Sequence, residues 1–490
     1  MSTNKLYYGD NLAVMRQHVP SSSVDLVYLD PPFNSDREYN AFFKQQDSTR
    51  SAAQIKAFTD TWRWDAAAAA SYQTVVEAGG KPAQALKAMR DLLGTTDVLS
   101  YLAMMTPRLI ELRRTLKDTG SLFLHCDPTA SHYLKVILDM VFGPDNFRNE
   151  IIWHYNTGGK GKKQFLRKHD TILWYSKSAN FHFDREAVAL PRSANTAHLR
   201  RGVDKDGREY YEDYSPRKSG KQYRWYLDEG VTPMDVWTDI QALNPEARER
   251  LGFPTQKPEA LLARIIKAAC PSGGTVLDPF CGCGTAIIAA QRLKRIWLGI
   301  DITYLATNLI KTRLLDIYGV VDYDVIGEPV TADEAATLAK EDPYQFQWWS
   351  LGLLGARPPE QRKGADAGVD GKLFFHDDSG GETKQMLFSV KAGKLDLAHV
   401  RDLRGVIERE QAQIGVLVTL NPPTPKMRAE AADAGFYKSH WASHPRLQIL
   451  TVAEILQGVT VDSPPLSQVN VTFKKAPVTK PKPDDQPTLI

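Results

Sequence analysis

The chain has 490 residues, of which 42% are hydrophobic and 24% are charged. This length excludes one ordinary hydrophobic core and predicts two or three domains, and the composition is typical of a soluble globular protein. The net charge is only +3, so any attraction to nucleic acid must come from local patches of charge.

The sequence has the pattern of neither a membrane protein nor a secreted one. No apolar run approaches the roughly 20 residues that a membrane-spanning helix needs, and the first segment, MSTNKLYYGD, does not have the pattern of a signal peptide. Four cysteines are too few for a disulfide scaffold and favour a reducing compartment. We therefore expect a cytoplasmic protein with no membrane partner. The cysteines are Cys126, Cys270, Cys281 and Cys283.

The first chemically informative segment is VDLVYLDPPFN, residues 24–34. Its apolar half predicts a buried strand, and the residues from 6 onward predict a strand, a turn and a helix before it. Two prolines prevent the strand from continuing, because each fixes φ and removes an N–H from the ladder. We therefore expect Asp30 at the carboxyl end of a strand, with Phe33 projecting from a stiff turn. The candidate catalytic residues are Asp30, Pro31, Pro32 and Phe33.

This arrangement suits chemistry on the exocyclic amine of a nucleobase. Such an amine is a poor nucleophile because its lone pair is delocalised into the ring. Hydrogen bonds to Asp30 and to the Pro31 carbonyl would favour its nucleophilic form. Phe33 can stack on a base that has left the duplex, which offsets the few kcal/mol that flipping costs. Methyl transfer to the amine is then mostly a matter of positioning and electrostatics.

The following segments alternate between helix and strand patterns. Residues 40–97 are polar and predict helices and loops. Leucines and a methionine recur at steps of three and four over 99–116, which predicts one face of a helix. Gly120 is expected to end this helix, a strand is expected over 121–125, and a further helix over 133–141.

Residues 151–250 mix aromatic and basic side chains, and the resemblance described below implies that they form a region that recognises DNA. Lysines in such a region contact phosphates, while a few polar or aromatic side chains read base edges. The segment GGKGKK (158–163) cannot pack a core, so we expect a basic loop there. A solvated charged face is the alternative interpretation. The candidate DNA-binding residues are Lys160, Lys162 and Lys163.

A glycine loop, DPFCGCGT (278–285), lies between a predicted strand, 275–278, and a predicted helix that begins at Thr285. A second strand over 295–301 completes a βαβ unit, in which a nucleotide-like cofactor binds at the loop. Gly282 and Gly284 allow a close backbone approach and a positive φ. A glycine turn that only packs the helix on the strand is the alternative.

The residues around the loop favour S-adenosylmethionine over a dinucleotide. A nicotinamide fingerprint needs a third glycine where this chain has Ile287. Asp278 can hold an ammonium group, and Asp301, at the end of the next strand, is spaced to accept from ribose hydroxyls. Phe280 can offer its ring face to the sulfonium. Cys281 and Cys283 form a C-x-C motif with no second pair of cysteines nearby, so the motif does not predict a zinc site.

Taken together, these segments resemble the DNA amino-methyltransferases in which the catalytic motif precedes the cofactor motif, the beta-type order. The resemblance covers roughly residues 5–320. It implies a Rossmann-like methyltransferase sheet with an inserted target-recognition region, acting on double-stranded DNA. The matching segments are YYGDN (7–11), LDPPFN (29–34), LFLHCD (122–127), FPTQKPEALL (253–262), LDPFCGCGT (277–285) and GIDI (299–302).

The resemblance also implies roles for individual residues. Asp30 to Phe33 would grip the target amine and base, and Asp301 the cofactor ribose. An aspartate at position 30, where the cytosine-N4 enzymes usually have serine, favours adenine N6. Further residues would surround or close the cofactor pocket: Asp10, Thr255, Gln256, Lys257, Pro258, Asp278, Phe280, Gly282, Gly284 and Thr285.

Other functions stay open at this point. Cytosine-N4 methylation is one, and a single-chain restriction–modification enzyme that also cleaves DNA is another. A DNA-binding module with a vestigial cofactor site is the alternative from a different class. Methylation of RNA or protein is disfavoured by the motif order, because in those enzymes the glycine motif usually comes shortly before the catalytic tetrad.

A second chemistry is indicated by GADAGVDG (364–371) followed by MLFSVKAG (386–393). An acid on one hairpin strand and a lysine on the next can hold a divalent metal and a water against a phosphodiester. These segments resemble the Mrr-type branch of the restriction-endonuclease fold, a smaller α/β domain over about 340–460. The resemblance implies Asp370 as a ligand of Mg²⁺ and Lys391 as the residue that orients the water.

The chain departs from that branch at Ser389, where Glu or Gln is usual. Glu382, Glu408 or Glu410 could take the missing role, or the domain could bind DNA or a partner without cleaving. Unrelated α/β packing with an ordinary surface lysine is the remaining alternative. We expect a methyltransferase domain over 1–330, with its target-recognition region over about 151–250. A disordered proline-rich tail is expected over 463–490, and a homodimer is a further expectation.

Overall fold

The structure is a computed structural model. It describes residues 4–32, 64–156, 165–191, 199–213, 223–244, 247, 249–251, 256–358, 368–375, 383–440 and 442–464. The predicted tail lies outside these residues except for Ser463 and Pro464, as does the predicted basic loop of 158–163.

The largest element of the fold is a nine-stranded sheet with the order β12-β1-β11-β10-β2-β3-β5-β4-β9. Its first six strands are parallel, β5 runs antiparallel to β3, and β4 runs antiparallel to β5. Parallel strands end at the same edge of a sheet, and ligands bind at that edge in doubly wound folds. The strands are β1 (Lys5–Tyr8), β2 (Val24–Leu29), β3 (Leu116–Cys126), β4 (Phe147–His154), β5 (His169–Ser176), β9 (Val236–Trp237), β10 (Thr275–Asp278), β11 (Ile296–Asp301) and β12 (Asp324–Ile326).

Helices cover both faces of this sheet, because its strands carry apolar residues on both sides. One hydrophobic core lies under α1–α5 and a second under α6–α8. This confirms the predicted α/β class. The helices are α1 (Asn11–His18), α2 (Ala66–Ala78), α3 (Gly80–Leu93), α4 (Asp97–Thr115), α5 (Ser131–Phe142), α6 (Glu259–Ala269), α7 (Thr285–Arg292) and α8 (Tyr304–Tyr318).

The helix predicted over 99–116 is α4, and it ends earlier than expected. The prediction that Gly120 terminates it is wrong, because β3 already begins at Leu116. A side chain at Gly120 would lie 3.0 Å from the Asp25 carbonyl oxygen. The glycine therefore allows β3 to run close to β2, next to the register shift between Val24 and Leu26.

The predicted target-recognition region, about 151–250, begins within two strands of the central sheet. Strands β4 and β5 pair with β3 and belong to the central sheet. What is inserted among the described residues is a separate three-stranded sheet of β6 (Leu199–Val203), β7 (Glu209–Asp213) and β8 (Arg224–Tyr226). Sequence reasoning treated 151–250 as one unit because aromatic residues occur both in the strands of the central sheet and in the inserted sheet.

The C-terminal part forms a smaller α/β domain around a four-stranded sheet with the order β13-β14-β15-β18. Two helices, α9 and α10, connect it to the first domain. None of the helices in the described ranges is long and apolar enough to cross a membrane. The elements are α9 (Ala332–Glu341), α10 (Pro343–Leu353), β13 (Gly371–Phe375), β14 (Lys384–Lys391), α11 (Leu397–Arg409), β15 (Ile414–Thr419), α12 (Pro425–Ala432), β16 (Phe436–Lys438), β17 (Ser443–Pro445), β18 (Leu447–Thr451) and α13 (Val452–Leu456).

Candidate active site

Asp30 directly follows β2, whose six residues are all buried. One carboxylate oxygen, Oδ2, lies 2.7 Å from the Nζ atom of Lys257, and the two side chains are 14% and 11% exposed. The other oxygen, Oδ1, is buried and has no hydrogen-bond partner among the described residues. Pro31 and Pro32 follow as predicted, while Phe33 lies outside the described residues. Asp30 thus has one paired oxygen and one that can accept a hydrogen bond from a ligand.

Lys257 lies between two carboxylates just before α6. Burial lowers the pKa of Lys257, but the charges of Asp30 and Asp170 outweigh it and the pKa is raised. Lys257 is therefore a permanent cation at the carboxyl edge of the sheet. The sequence predicted it as part of the cofactor pocket, and its contact with Asp30 was not foreseen.

A buried polar network lies beside this ion pair on the same sheet face. The Oη atom of Tyr28 is 3.0 Å from Nδ1 of His125, and Nε2 of His125 is 3.0 Å from Oδ2 of Asp170. The hydroxyl of Tyr155 donates to the other Asp170 oxygen at 3.0 Å. Burial raises the pKa of Asp170, but His125, Lys257 and Tyr155 together lower it to about 2.

Sequence reasoning gave His125 no role, and it did not single out Asp170. The available signal was strand alternation. His125 follows Phe123 by two residues on β3 and so faces the same side as Tyr28 of the neighbouring strand. His125 lies on the strand next to the one that Asp30 follows. Its partner, Asp170, comes from the antiparallel strand β5, which the strand alternation of β3 does not identify.

The glycine loop curls around Asp301 at the end of β11. Gly282 and Gly284 have φ values of 49° and 76°, as the sequence predicted. The Gly282 N–H donates to Oδ2 of Asp301 at 2.9 Å, and Thr303 donates to Oδ1 at 2.8 Å. A Cβ atom at Gly284 would lie 2.6 Å from Cγ1 of Ile310 on α8. The loop therefore requires glycine for both its conformation and its close approach to α8.

Asp278 is buried at the end of β10 and accepts a hydrogen bond from the Phe280 N–H at 3.1 Å. Burial, followed by the charges of Asp30 and Asp301, raises the pKa of Asp278 well above its usual range. These three acids end β2, β10 and β11, which are adjacent in the sheet. Concentrated negative charge of this kind favours a cationic ligand, because a cation relieves the repulsion.

Asp10 begins α1 and is held by Arg108 of α4. Its Oδ2 atom lies 2.5 Å from Nη2 of Arg108, whose Nε donates to Asn11 at 2.6 Å. Asn11 in turn donates to the carbonyl of Pro279 in the glycine loop at 2.8 Å. Asp10 is thus joined to the loop, as its predicted cofactor role requires. Arg108 and Asn11 were missed, since neither belongs to a recognised motif.

The remaining predicted pocket residues have different surroundings. The Gln256 side chain accepts from the Leu251 N–H at 2.8 Å and donates to the Glu249 carbonyl at 2.6 Å, so it braces its own loop. Pro258 is the N-cap of α6 rather than its first helical residue. Thr285 is the buried first residue of α7. Thr255 and the three candidate DNA-binding lysines lie outside the described residues.

The cysteines of the loop serve as packing residues. Cys281 and Cys283 are buried and free, and burial raises the pKa of both thiols. In the described part of the chain, no group of three or more His, Cys, Asp and Glu side chains could hold a metal ion.

Comparison with known proteins identifies the family of the larger domain. Residues 24–311, more than half of the chain, match the family model described as DNA methylase, of the N6/N4 methyltransferase type. The chain belongs to the DNA methylase family. The predicted resemblance to the amino-methyltransferases is confirmed at this level.

Curated relatives of this DNA methylase are similar over part of their length. The type II methyltransferase M.BglII of Bacillus subtilis is 26% identical over 310 residues, which are 61% of this chain and 65% of that protein. The DNA adenine methyltransferase YhdJ of Escherichia coli K12 is 25% identical over 64% of this chain and 82% of its own. The chain spans 45% to 65% of the length of four of these relatives. A solved PvuII DNA methyltransferase, cytosine-N4-specific, matches 65% of this chain and 88% of its own with 14% identity and a TM-score of 0.39.

The second domain of this DNA methylase matches another family over residues 344–457, described as NACHT-associated inactive restriction endonuclease 1. The predicted fusion with a restriction-endonuclease-like domain is thereby supported. That match fits the surroundings of Asp370. Its Oδ2 atom accepts from the Val390 N–H at 2.7 Å and from the Ser389 hydroxyl at 3.1 Å, and its Oδ1 atom accepts from Gln347 at 2.9 Å.

The predicted partners of Asp370 are arranged differently from a metal site. The Nζ atom of Lys391 lies 3.8 Å from Oδ2 of Asp370, so the predicted pair is brought together. Glu410, proposed as a substitute ligand, instead pairs with Lys372 at 3.4 Å, and Glu382 lies outside the described residues. Asp370 is thus satisfied by protein donors.

Proposed function

We propose that this DNA methylase transfers a methyl group from S-adenosylmethionine to the N6 amine of an adenine flipped out of double-stranded DNA. The observation that carries the proposal is the asymmetry of Asp30. One oxygen is paired with Lys257 at 2.7 Å and the other is buried without a described partner. A buried acceptor that lacks a donor is costly, and an amine supplied by the substrate would satisfy it.

The chain's own residues fit the proposed cofactor. Asp278, buried and close to two other acids, would hold the methionine ammonium, and Asp301 the ribose. Gly284 lets the loop approach the ligand, and Asp10 would reach the adenine end. When bound, S-adenosylmethionine supplies an electrophilic methyl group on a positively charged sulfur. Burial makes the carboxylates more effective at holding such a cation than they would be in water.

Three residues are proposed to act on the target base. The Oδ1 atom of Asp30 accepts one amine hydrogen and the Pro31 carbonyl accepts the other, which restores nucleophilic character to the nitrogen. Phe33 stacks on the flipped base. Adenine is proposed over cytosine because position 30 is Asp, and because a relative that shares most of its length with this chain is named as a DNA adenine methyltransferase.

The direct test is to sequence DNA treated with the protein and S-adenosylmethionine, using base-level detection of methylation. N6-methyladenine at one sequence context is the expected result. Detection of N4-methylcytosine would show that the target is the N4 amine of cytosine instead of the N6 amine of adenine. Unmodified DNA would contradict the proposal.

The Asp30→Ala variant tests the site itself. We expect methyl transfer to be abolished while the dissociation constant for S-adenosylmethionine, measured by calorimetry, changes less than about threefold, because Asp30 contacts the amine and not the cofactor. Asp118→Ala is the matched control, since Asp118 is 84% exposed and lies near the start of β3, at the opposite edge of the sheet. Equal loss of transfer and cofactor binding in Asp30→Ala would contradict the assignment.

For the second domain, we propose binding to DNA or to a partner without cleavage. Satisfaction of Asp370 by Gln347, Ser389 and the Val390 N–H supports this over a Mg²⁺ site. Supercoiled plasmid incubated with the protein and Mg²⁺ should stay uncut. Cleavage that is lost in Asp370→Ala or Lys391→Ala would instead establish a restriction–modification enzyme. The homodimer stays a prediction, which analytical ultracentrifugation tests.

A further inference from the structure

Lys257 and Asp30 form a buried ion pair across 227 residues of sequence. The lysine precedes α6 and the aspartate follows β2, so only the fold brings them together. Their distance of 2.7 Å and their low exposure separate this pair from a surface salt bridge. The pair leaves Oδ1 of Asp30 free to meet a substrate, whereas Oδ2 is held.

We propose that Lys257 is a positioning residue for methyl transfer: it holds Oδ2 of Asp30 and so turns Oδ1 toward the target amine. This inference rests on the proposed function of Asp30 and replaces the predicted role of Lys257 in closing the cofactor pocket. Lys257 keeps its proton throughout, and no additional covalent step is involved.

The groups that surround Asp30 leave it one cationic partner. Asp278 at the end of β10 and Asp170 on β5 are acidic neighbours of this edge. Cys126 on β3 is buried, and burial raises the pKa of its thiol. The lysine is therefore the cation that faces Asp30 from the described elements packed around it, and removal of one partner of a buried ion pair leaves the other charge uncompensated.

The orientation of Asp30 matters because of what the target amine offers. The exocyclic amine has hydrogens to donate, and its lone pair must stay available for the methyl group. A carboxylate accepts hydrogen bonds with both oxygens. With Oδ2 held by Lys257, Oδ1 is the oxygen that is left to accept from the amine.

The lysine itself is held in place by the polar network on β3 and β5. Asp170 attracts Lys257 electrostatically, and His125 and Tyr155 fix the Asp170 carboxylate at 3.0 Å each. The ammonium group is therefore bonded to Asp30 and attracted by Asp170. A displacement of about 1 Å in such a constellation can cost roughly a hundredfold in rate.

The test compares Lys257→Met with Lys257→Arg. The methionine keeps an unbranched side chain of similar length and removes the charge, whereas the arginine keeps the charge. Single-turnover methyl transfer is measured at pH 7 with saturating S-adenosylmethionine. We expect Lys257→Met to be about a hundredfold slower at pH 7, with cofactor affinity within about threefold. We expect Lys257→Arg to stay within about tenfold of the unmodified protein, because it retains the charge.

The cofactor affinity and the arginine variant separate positioning from mere stabilisation. A loss of fold stability alone lowers the rate and the cofactor affinity together, whereas a loss of positioning lowers the rate and preserves the affinity. Lys257→Arg should then recover most of the rate that Lys257→Met loses. Lys372→Met is the matched control: it breaks another partly buried ion pair, with Glu410 in the second domain, and should leave the rate unchanged.

Two results would overturn the proposal. One is a loss of cofactor affinity in Lys257→Met as large as its loss of rate, which would return the lysine to the cofactor pocket. The other is a rate of Lys257→Arg as low as that of Lys257→Met, which would show that the positive charge does not position Asp30. If the unmodified protein does not methylate DNA, carboxyl-carbon NMR still tests the contact, because the chemical shift of the Asp30 carboxyl carbon should differ between Lys257→Met and the unmodified protein.

Discussion

Asp278 shows how the fold can hold a single residue in an unfavourable state. Its carboxyl group is buried near Asp30 and Asp301, and these surroundings raise its pKa. The unfolded chain releases this proton at about pH 4. Between that pH and the raised pKa, the folded state binds more protons than the unfolded state, so stability falls as the pH rises.

The Asp278→Asn variant should therefore be more stable than the unmodified protein at pH 7 without cofactor. We expect a higher melting temperature, because the neutral amide avoids the cost of burying a carboxyl group beside Asp30 and Asp301. S-adenosylmethionine should bind at least about tenfold more weakly, since its ammonium loses a charged partner. Thermal denaturation and calorimetry measure the two effects. A variant that binds the cofactor normally would show that another group holds the ammonium.

The sequence was informative about the identity of such residues and less so about their contacts. Asp30 follows an apolar strand, and Asp278 and Asp301 are the last residues of two others. The apolar pattern of each strand and the prolines and glycines after it were enough to place all three acids at the same edge of the sheet. The partners Lys257, His125 and Arg108 come from distant segments, and no local pattern specifies which strand a buried histidine or lysine will face.

At the scale of the element, α7 depends on the glycine before it. Gly284 is the N-cap of α7 and has a left-handed conformation, and a Cβ there would meet Ile310 of α8. Most strands and helices of the βαβ unit around this loop were predicted within a few residues. Their apolar periodicity is strong, and glycines and an aspartate mark the boundaries.

Gly284→Ala should destabilise the protein by about 2 kcal/mol, because an L-residue is strained at this φ and the added methyl group displaces α8. Cofactor affinity should fall with it, since the loop can no longer close on the ligand. Gly405→Ala is the matched control. Gly405 lies inside α11 with no atom near its missing Cβ, so alanine there should be neutral or stabilising by up to about 1 kcal/mol. Equal melting temperatures for the two variants would contradict this account.

The elements that sequence reasoning missed were the ones whose place depends on pairing. Strands β4 and β5 have the same mixture of aromatic and polar residues as the insert that follows them. Their hydrogen bonds to β3 and to each other assign them to the sheet. Strand partners at long range are not encoded in local periodicity, because any amphipathic strand satisfies the same pattern.

At the scale of the whole molecule, the second domain is packed against the sheet edge of the first domain that carries the candidate site. Gln345 of α10 accepts a hydrogen bond from the Tyr304 N–H at 3.2 Å, at the start of α8. The rings of Tyr8 and Tyr304 stack with their centres 3.7 Å apart. Asn308 donates to the Trp348 carbonyl at 3.2 Å. The helix that follows Asp301 is therefore part of the boundary between the domains.

DNA binding belongs to the same scale, because a net charge of +3 leaves the attraction to local basic segments. Replacing Lys160, Lys162 and Lys163 together by alanine should weaken DNA binding and flatten its dependence on salt. For every phosphate that a lysine no longer neutralises, the slope of log affinity against log salt concentration becomes shallower by about 0.9. Fluorescence anisotropy over a range of salt concentrations measures this slope.

Lys267→Ala provides the control for that measurement. Lys267 is exposed in the last turn of α6, at the edge of the sheet opposite the candidate site. The slope of log DNA affinity against log salt concentration should be the same for Lys267→Ala as for the unmodified protein. A triple variant with the same slope as this control would place the DNA on another surface.

The sequence by itself determined the α/β class, the two domains, the glycine loop and the acids at the strand ends, because strand and helix periodicity and the proline and glycine punctuation are local properties of the chain. Only the tertiary structure decided that Lys257 holds Asp30, that His125 and Asp170 share a network, and that Asp370 is satisfied by protein donors. These contacts join residues far apart in sequence, and their energies depend on burial and on neighbouring charges, which no local pattern contains.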